Sequence, residues 1–222
     1  MKVSLIIPTR SEAGAIGRVL AEIPKNIIYE IIVIDGHSQD NTAKEARAQL
    51  RRGKDKFILQ KKKGFGAALL EAFKKASGDV IIIMNGDGSH NPKNIPSLIK
   101  KIREGNSYVM ASRYARGGKS DDDTIVRFIG NRALTFLTNL IHNTGVSDSL
   151  YFFTAIIRKD LKKLHLVSPG FELCIELLIK AHKAGLKFAE VPVTERPRFA
   201  GKSKVNAFFA GMKILRVILQ KY

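Results

Sequence analysis

The stretch that most constrains this chain is Ile81-Ile82-Ile83-Met84-Asn85-Gly86-Asp87-Gly88-Ser89-His90-Asn91-Pro92. A run of apolar strand-forming residues stops at a short polar turn holding one carboxylate, and Asn91-Pro92 then opens a helix. In an open α/β sheet, ligands bind just beyond the carboxyl ends of the strands. Asp87 at that point, beside two glycines that let backbone approach a ligand, reads as a metal and phosphate site. An Asn-Gly-Asp-Gly turn without chemistry explains the stretch equally well when it is taken alone. A second strand that ends in the same way shifts the balance toward a ligand site.

That second strand is Ile31 to Ile34, closed by Asp35-Gly36. Around it, the first half of the chain alternates strand and helix. Val3 to Ile7 is a strand closed by Pro8, and Ile16, Val19, Leu20 and Ile23 then recur at helical spacing, with Ser11 as N-cap. Ala43 to Leu50 reads as helix, Lys56 to Leu59 as strand, Ala67 to Ala76 as helix and Val80 to Met84 as strand. The helix after Pro92 places Ile95, Leu98, Ile99 and Ile102 on one face, and Tyr108 to Ala111 is a further strand. This alternation predicts parallel βαβ units in a doubly wound sheet. The second half differs. Gly117 to Asp123 reads as a polar, mobile loop, Thr124 to His142 as one amphipathic helix and Leu150 to Ile157 as a strand. Phe171 to Ala184 is expected to be helical, Phe188 to Val193 a strand and Asn206 to Leu219 a closing helix.

With 222 residues and 45% hydrophobic content, one large domain with a sizeable core is expected. The formal net charge of +18 points to an anionic partner: a nucleotide, a lipid phosphate, a membrane surface or nucleic acid. The single Cys174 excludes an internal disulfide and fits a reducing compartment; in its apolar helical setting it reads as an inert core thiol. Lys2 leads into a short strand rather than a signal sequence. No run reaches the roughly 18 apolar residues of a membrane span. A soluble or peripheral protein is expected.

If the strands ending at Asp35 and Asp87 are neighbours, both carboxylates face one crevice. Asp87 then suits Mg²⁺ or Mn²⁺ bridged to a diphosphate, and Asp35 suits hydrogen bonds from a base or ribose. Lys62 to Ala68 is a Gly-rich turn before a helix; it fits a phosphate cradle or simply close helix packing. Residues 47–75 hold ten Lys or Arg against two acids, an anionic-surface patch or a solvated basic face. Arg196 to Lys204 sets four cations around a Gly and a Ser, as a phosphate lid does. Seven Lys or Arg and no acid follow Glu195. The closing helix, with Phe208, Phe209, Met212, Leu215 and Leu219 beside Lys213 and Arg216, suits either an anionic membrane or packing on the sheet. Arg127 and Arg132, one to two turns apart, suit a phosphorylated acceptor.

These residues resemble the family 2 glycosyltransferases of GT-A fold, and among them the dolichol-phosphate (polyprenyl-phosphate) mannosyltransferases, over Val3 to about Val205. Pro8-Thr9-Arg10-Ser11-Glu12 stands where the family has Pro-Thr-Tyr-Asn-Glu, and Asp35-Gly36-His37-Ser38-Gln39-Asp40-Asn41-Thr42 where it has Asp-Asp-Gly-Ser-x-Asp-x-Thr. Gly64-x-Gly66-x-Ala68 and Ser77-Gly78-Asp79 follow in order. Asn85-Gly86-Asp87 takes the Asp-x-Asp position, Ala111 to Tyr114 resembles Gly-Ser-Arg-Tyr, and Glu190-Val191-Pro192 with Arg198-x-x-Gly201-x-Ser203-Lys204 completes the series.

The resemblance implies a Rossmann-like, open, twisted, mostly parallel sheet flanked by helices. Residues 1–205 would form the catalytic domain, and 206–222 a basic amphipathic helix within it or against a membrane. It implies inverting transfer of mannose or glucose from GDP-mannose or UDP-glucose to a polyprenyl or dolichyl phosphate, assisted by Mg²⁺ or Mn²⁺. Pro8, Thr9, Glu12, Asp35 and Gly64 would line the donor. Asp87 with Asn85 would hold the metal, with Gly86 and Ser89 nearby. Arg113, Arg127 and Arg132 would face the acceptor phosphate, and Arg198, Ser203 and Lys204 would cover the donor.

The chain departs from the family at Asn85, which replaces an Asp. It departs again at Asp148 to Thr154, which loses the Gly and Arg of Asp-x-x-Ser-Gly-Phe-Arg. A cytoplasmic protein peripheral on the membrane is expected, and an anchoring subunit, a homodimer or a soluble acceptor stay open as alternatives. A nucleic-acid-binding protein is the alternative from charge, and a homologue that binds nucleotide sugar without turnover is the alternative from the two departures. Against nucleic acid, carboxylates cluster at the strand ends and no aromatics interleave with the basic run.

Overall fold

The structure is a computed structural model and describes residues 1–201 and 207–220. The first half runs β1 (Val3–Thr9), α1 (Ile16–Glu22), β2 (Glu30–Asp35), α2 (Thr42–Gln49), β3 (Lys56–Leu59), α3 (Phe65–Lys75), β4 (Val80–Ile83), α4 (Ile95–Arg103) and β5 (Tyr108–Ser112). The second half runs β6 (Lys119–Ser120), α5 (Ile125–His142), β7 (Thr154–Ile157), α6 (Arg158–Leu161), α7 (Leu173–Lys183), β8 (Phe188–Pro192), β9 (Thr194–Glu195) and α8 (Ala207–Ile218).

Seven strands form one sheet in the order β3-β2-β1-β4-β7-β5-β8. All neighbours are parallel except β7, which lies antiparallel between β4 and β5. Both faces are covered, which is why the strands read as unbroken apolar runs rather than alternating ones. Successive side chains point to opposite faces. Ile6, Ile81 and Ile83 pack with α3, α7 and α8, while Leu5, Ile7, Ile82 and Met84 pack with α1 and α4.

The chain adds β2 and β3 on one side of β1 and then returns to place β4 on the other. The crevice past β1 and β4 is therefore the topological switch point, where ligands of such sheets bind.

Three expectations change. The N-cap position of α1 is Ala15, not Ser11. Ser11 sits at φ +52° and donates its backbone N–H to Ser38 Oγ (2.7 Å), so this segment joins the β1 and β2 loops before the helix starts. The strand expected from Leu150 begins only at Thr154. Leu150 N–H turns back to Asp148 Oδ1 (3.3 Å), which bends the chain away from pairing. The polar loop at 117–123 contains β6, which pairs in parallel with β9 as a separate two-stranded sheet. The closing helix buries Ile214, Val217 and Ile218 in the core, and Ile218 O accepts from His142 Nε2 (2.7 Å). No helix among the described residues is long and apolar enough to cross a membrane.

Candidate active site

The turn after β4 is folded onto itself. Asp87 Oδ1 accepts from Ser89 N–H (3.0 Å) and Ser89 Oγ–H (2.8 Å), which aims the other oxygen outward. Gly86 is pressed down between Ile16 and Ile7, where a Cβ would stand 3.0 Å from Ile16 Cδ1. His90 is 1% exposed and packs against Tyr151 and Phe153, its ring centroid 4.5 and 5.0 Å from theirs. Burial pushes its pKa far below the ordinary value, so the ring is neutral. Its Nδ1 lies 3.1 Å from the Asn85 backbone nitrogen.

The basic loop after β9 docks on this turn. Arg196 N–H donates to Ser89 O (3.0 Å), Arg196 Nε–H to Gly88 O (3.1 Å) and Phe199 N–H to Asp87 O (2.9 Å). Gly88, at φ +92°, is required here: a Cβ would lie 2.6 Å from the Phe199 ring. Phe199 is in turn clasped by the guanidinium groups of Arg18 and Arg196, 4.0 and 4.7 Å from its centroid. Arg198 Nη1 reaches Asp87 Oδ2 at 2.6 Å. The two segments that stand out most in the sequence thus meet, lid cation against strand-end carboxylate.

Arg113, at the end of β5, is buried among three carboxylates. It makes a fork to Asp148 (Nε–Oδ2 2.7 Å, Nη2–Oδ1 3.0 Å), and its Nη1 faces Glu195 (3.3 Å) and Asp123 (3.5 Å). Burial works against its charge, but Asp148 and Glu195 hold it firmly protonated. Burial also raises the carboxyl of Glu195, with Arg113 and Ser120 pulling it back. Ser120 Oγ–H and Arg113 share the same Glu195 oxygen, tying β6 and β9 to the end of β5.

A cavity of about 590 Å³ opens over these groups. One end is polar, with Asn85, Asp87, Arg127 and Arg198. The other is apolar, with Phe65, Leu134, Leu150, Phe171, Phe209 and Ile214. Cys174 lines this end, its thiol pushed up to about 12 by burial and so unreactive near neutrality.

Of the residues expected to form the site, Pro8, Thr9, Glu12, Gly64, Asn85, Gly86, Asp87, Arg113, Arg127 and Arg198 line this cavity. Three others do not. Asp35 is 1% exposed and turned inward, its carboxylate accepting from Ser38 N–H (2.9 Å) and Ser38 Oγ–H. It holds the turn that brings Gly36 to the cavity wall. Ser89 lies beneath Asp87. Arg132 is exposed, 5.6 Å from the Tyr114 ring centroid. Ser203 and Lys204 lie outside the described residues.

The Gly-rich turn is used for packing. A Cβ on Gly64 would meet Pro169 O at 2.2 Å, and Ala67 N–H donates to that same carbonyl (3.0 Å). Arg10, Gln60, Asp122 and Asp123 also line the cavity and were missed. The acidic run at 121–123 carried a signal, since its charge opposes the basic balance of the chain around it.

Asp87 is the carboxylate suited to a divalent ion, and its Oδ2 is already the oxygen that meets a positive charge. Among the described residues no group of three or more His, Cys, Asp or Glu forms a cage. Asp87, a single carboxylate in the cavity lining, would suit an ion that also takes oxygens from substrate phosphates, as Mg²⁺ does.

Residues 4–165 match the family described as Glycosyl transferase family 2. A dolichol-phosphate mannosyltransferase of Pyrococcus furiosus is 32% identical over 212 residues, covering 93% of this chain and 60% of that protein. An uncharacterised protein of Methanocaldococcus jannaschii is 30% identical over 230 residues, covering 99% of this chain and 92% of that one. This chain thus spans 60% of the length of the Pyrococcus relative.

Glucosyl-3-phosphoglycerate synthase of Mycobacterium tuberculosis, crystallised with Mn²⁺, UDP and glucosyl-3-phosphoglycerate, superposes with a TM-score of 0.76. The match covers 98% of this chain and 78% of that one at 22% identity. At that identity the likeness is one of fold, and the fold is GT-A: a mostly parallel sheet flanked by helices. A strand-end carboxylate at the switch point of a GT-A sheet, and a family match across most of the chain, agree: it belongs to glycosyl transferase family 2.

Proposed function

We propose that the chain is an inverting hexosyltransferase that moves mannose or glucose from a GDP- or UDP-linked sugar to a polyprenyl phosphate such as dolichyl phosphate. The reading is carried by the two-ended cavity, which joins the charged groups at Asp87 to an apolar wall formed by α3, α5, α7 and α8. A nucleoside diphosphate suits the first end, and a phosphate on a hydrocarbon chain suits both. The name of the Pyrococcus relative supports the acceptor class, and the Mn²⁺ and UDP held by the mycobacterial synthase support the donor class.

Asp87 and Arg198 hold the donor's diphosphate end. A Mg²⁺ or Mn²⁺ ion, when bound at Asp87, offsets the charge that builds on the departing nucleoside diphosphate. Arg127, exposed beside Asp122 (3.4 Å), orients the acceptor phosphate. That phosphate is already ionised near neutrality, so no residue has to remove a proton from it. Arg113, committed to its carboxylates, acts as a positioning residue for the β5, β6 and β9 ends.

The apolar end opens toward a surface that suits a membrane. Ile125, Val126, Ile129, Phe136 and Leu140 of α5 are exposed, as are Phe208, Phe209 and Met212 of α8. Neither helix carries an acid, and Arg127, Arg132, Lys213 and Arg216 are exposed on them. Apolar anchors flanked by cations suit the interface of an anionic bilayer.

Calorimetric titration with GDP and with UDP, each with Mn²⁺ and with chelator, tests the donor site. Metal-dependent, micromolar binding of one nucleotide, lost in Asp87→Ala, is expected. Binding of neither nucleotide in the presence of metal would sink the nucleotide-sugar reading.

A further inference from the structure

The contact between Asn85 and His90 decides what position 85 offers to a ligand. Nδ1 of His90 lies 3.1 Å from the Asn85 backbone nitrogen, in line to accept its N–H. A ring nitrogen that accepts has no proton, so the imidazole is neutral and its single N–H is at Nε2. Nε2 lies 3.4 Å from the Asn85 side-chain amide. An N–H there requires an acceptor, and of the two amide ends only the oxygen accepts. The oxygen and nitrogen of an amide are told apart by this kind of network. With Oδ1 on the ring, the NH2 points the other way. No protein hydrogen bond meets that end among the described residues, and Asn85 lines the cavity. The ring has no freedom to choose otherwise, since Tyr151 and Phe153 pack against it and it is 1% exposed.

We propose that His90 fixes Asn85 with its NH2 toward the cavity, so that position 85 donates a hydrogen bond to an anionic oxygen of the donor diphosphate and is not a metal ligand. The divalent ion is left to Asp87 and the phosphates. The identity of the anion rests on the nucleotide-sugar reading above. His90 is a positioning residue in this arrangement. The Asn in place of an Asp then exchanges a metal ligand for a phosphate donor, rather than weakening one function without replacement.

Two measurements on the full chain test this. Side-chain ¹⁵N NMR of His90 should show a lone-pair Nδ1 and a protonated Nε2; the opposite tautomer, or averaging between the two, overturns the amide orientation. Mn²⁺ binding, read by electron paramagnetic resonance without nucleotide, should change less than twofold in Asn85→Ala and fall at least tenfold in Asp87→Ala. The same Asn85→Ala variant should bind the Mn²⁺–nucleoside diphosphate about tenfold more weakly, as expected for a lost hydrogen bond to a charged group. Asn85→Asp should tighten Mn²⁺ alone, because one carboxylate oxygen accepts from Nε2–H and the other is free for the ion.

Asn85→Ala weakening Mn²⁺ alone as much as Asp87→Ala would make the amide oxygen a ligand and overturn the proposal. Failure of the unaltered protein to bind either nucleotide overturns the donor reading and the diphosphate role together, and the NMR result still decides the amide orientation. Position 85 is used for the variants because it is half-buried, whereas His90 is enclosed in the core.

Discussion

Asp87 and Arg113 show how differently two buried charges are used. Asp87 has one oxygen committed to Ser89 and one facing cations, an arrangement that fits exchange of Arg198 for a ligand. Arg113 has no such freedom. Its fork to Asp148 is enclosed, and a buried charge stripped of its partner is destabilising. Asp148→Ala should therefore lower unfolding stability by about 3–5 kcal/mol, measured by chemical denaturation. Arg113→Lys should also destabilise, because an ammonium cannot make the fork. Unchanged stability in both would remove the structural role assigned to Arg113.

Glu30 carries a pH dependence. Burial pushes its pKa up, but Lys56, Ser4 and Ser77 outweigh this and hold it down at about 2 against an ordinary 4.5. A carboxylate depressed in the folded state adds stability that is full above the unfolded value and is lost as pH falls through the folded one. Glu30→Gln should thus cost about 1–3 kcal/mol at pH 7. The gap to the unaltered protein should close between pH 4.5 and about 2. A gap that stays constant across that window would contradict the assignment.

At the scale of elements, the strands were legible because burial on both sheet faces leaves Ile31–Ile34 and Ile81–Ile83 as unbroken apolar runs. The turns after them were legible because Gly, Asp and Pro punctuate them. What was not legible is non-local. Nothing near Thr154–Ile157 in the sequence states that β7 enters antiparallel between β4 and β5. The pairing of β6 with β9 involves two residues on each side and leaves no periodicity to read. The resemblance set Arg113 toward the acceptor phosphate, and its partners Asp148 and Glu195, 35 and 82 residues away, leave no local trace beside it in the sequence.

The Gly-rich turn was ambiguous between cradle and packing, and the contacts at Ser168 to Gly170 show the packing. Gly66→Ala would place a Cβ 2.3 Å from Ser168 O and 2.7 Å from Gly170 O, against backbone that cannot yield. It should cost about 1–3 kcal/mol in thermal or chemical unfolding, as overpacking does. A variant as stable as the parent would mean that α3 does not rest on that loop.

Across the whole molecule, the formal charge of +18 and the apolar faces of α5 and α8 both fit the anionic lipid surface proposed above. The sequence showed the charge and both amphipathic helices, but not that α5 and α8 pack together beside one end of the cavity. Ile129→Ser with Phe208→Ser removes an anchor from each helix, 60% and 73% exposed, and neither residue itself lines the cavity. Full burial of such side chains is worth about 1.5–3 kcal/mol each. Affinity for anionic vesicles should therefore fall at least tenfold, with nucleotide affinity unchanged.

The most direct measurement is transfer itself. The purified chain would be incubated with Mn²⁺, vesicles containing polyprenyl phosphate, and labelled GDP-mannose or UDP-glucose. Label should move into the lipid fraction from one donor, should require the lipid phosphate, and should be lost in Asp87→Ala. Micromolar, metal-dependent nucleotide binding with no label reaching the lipid would contradict hexosyl transfer to a polyprenyl phosphate.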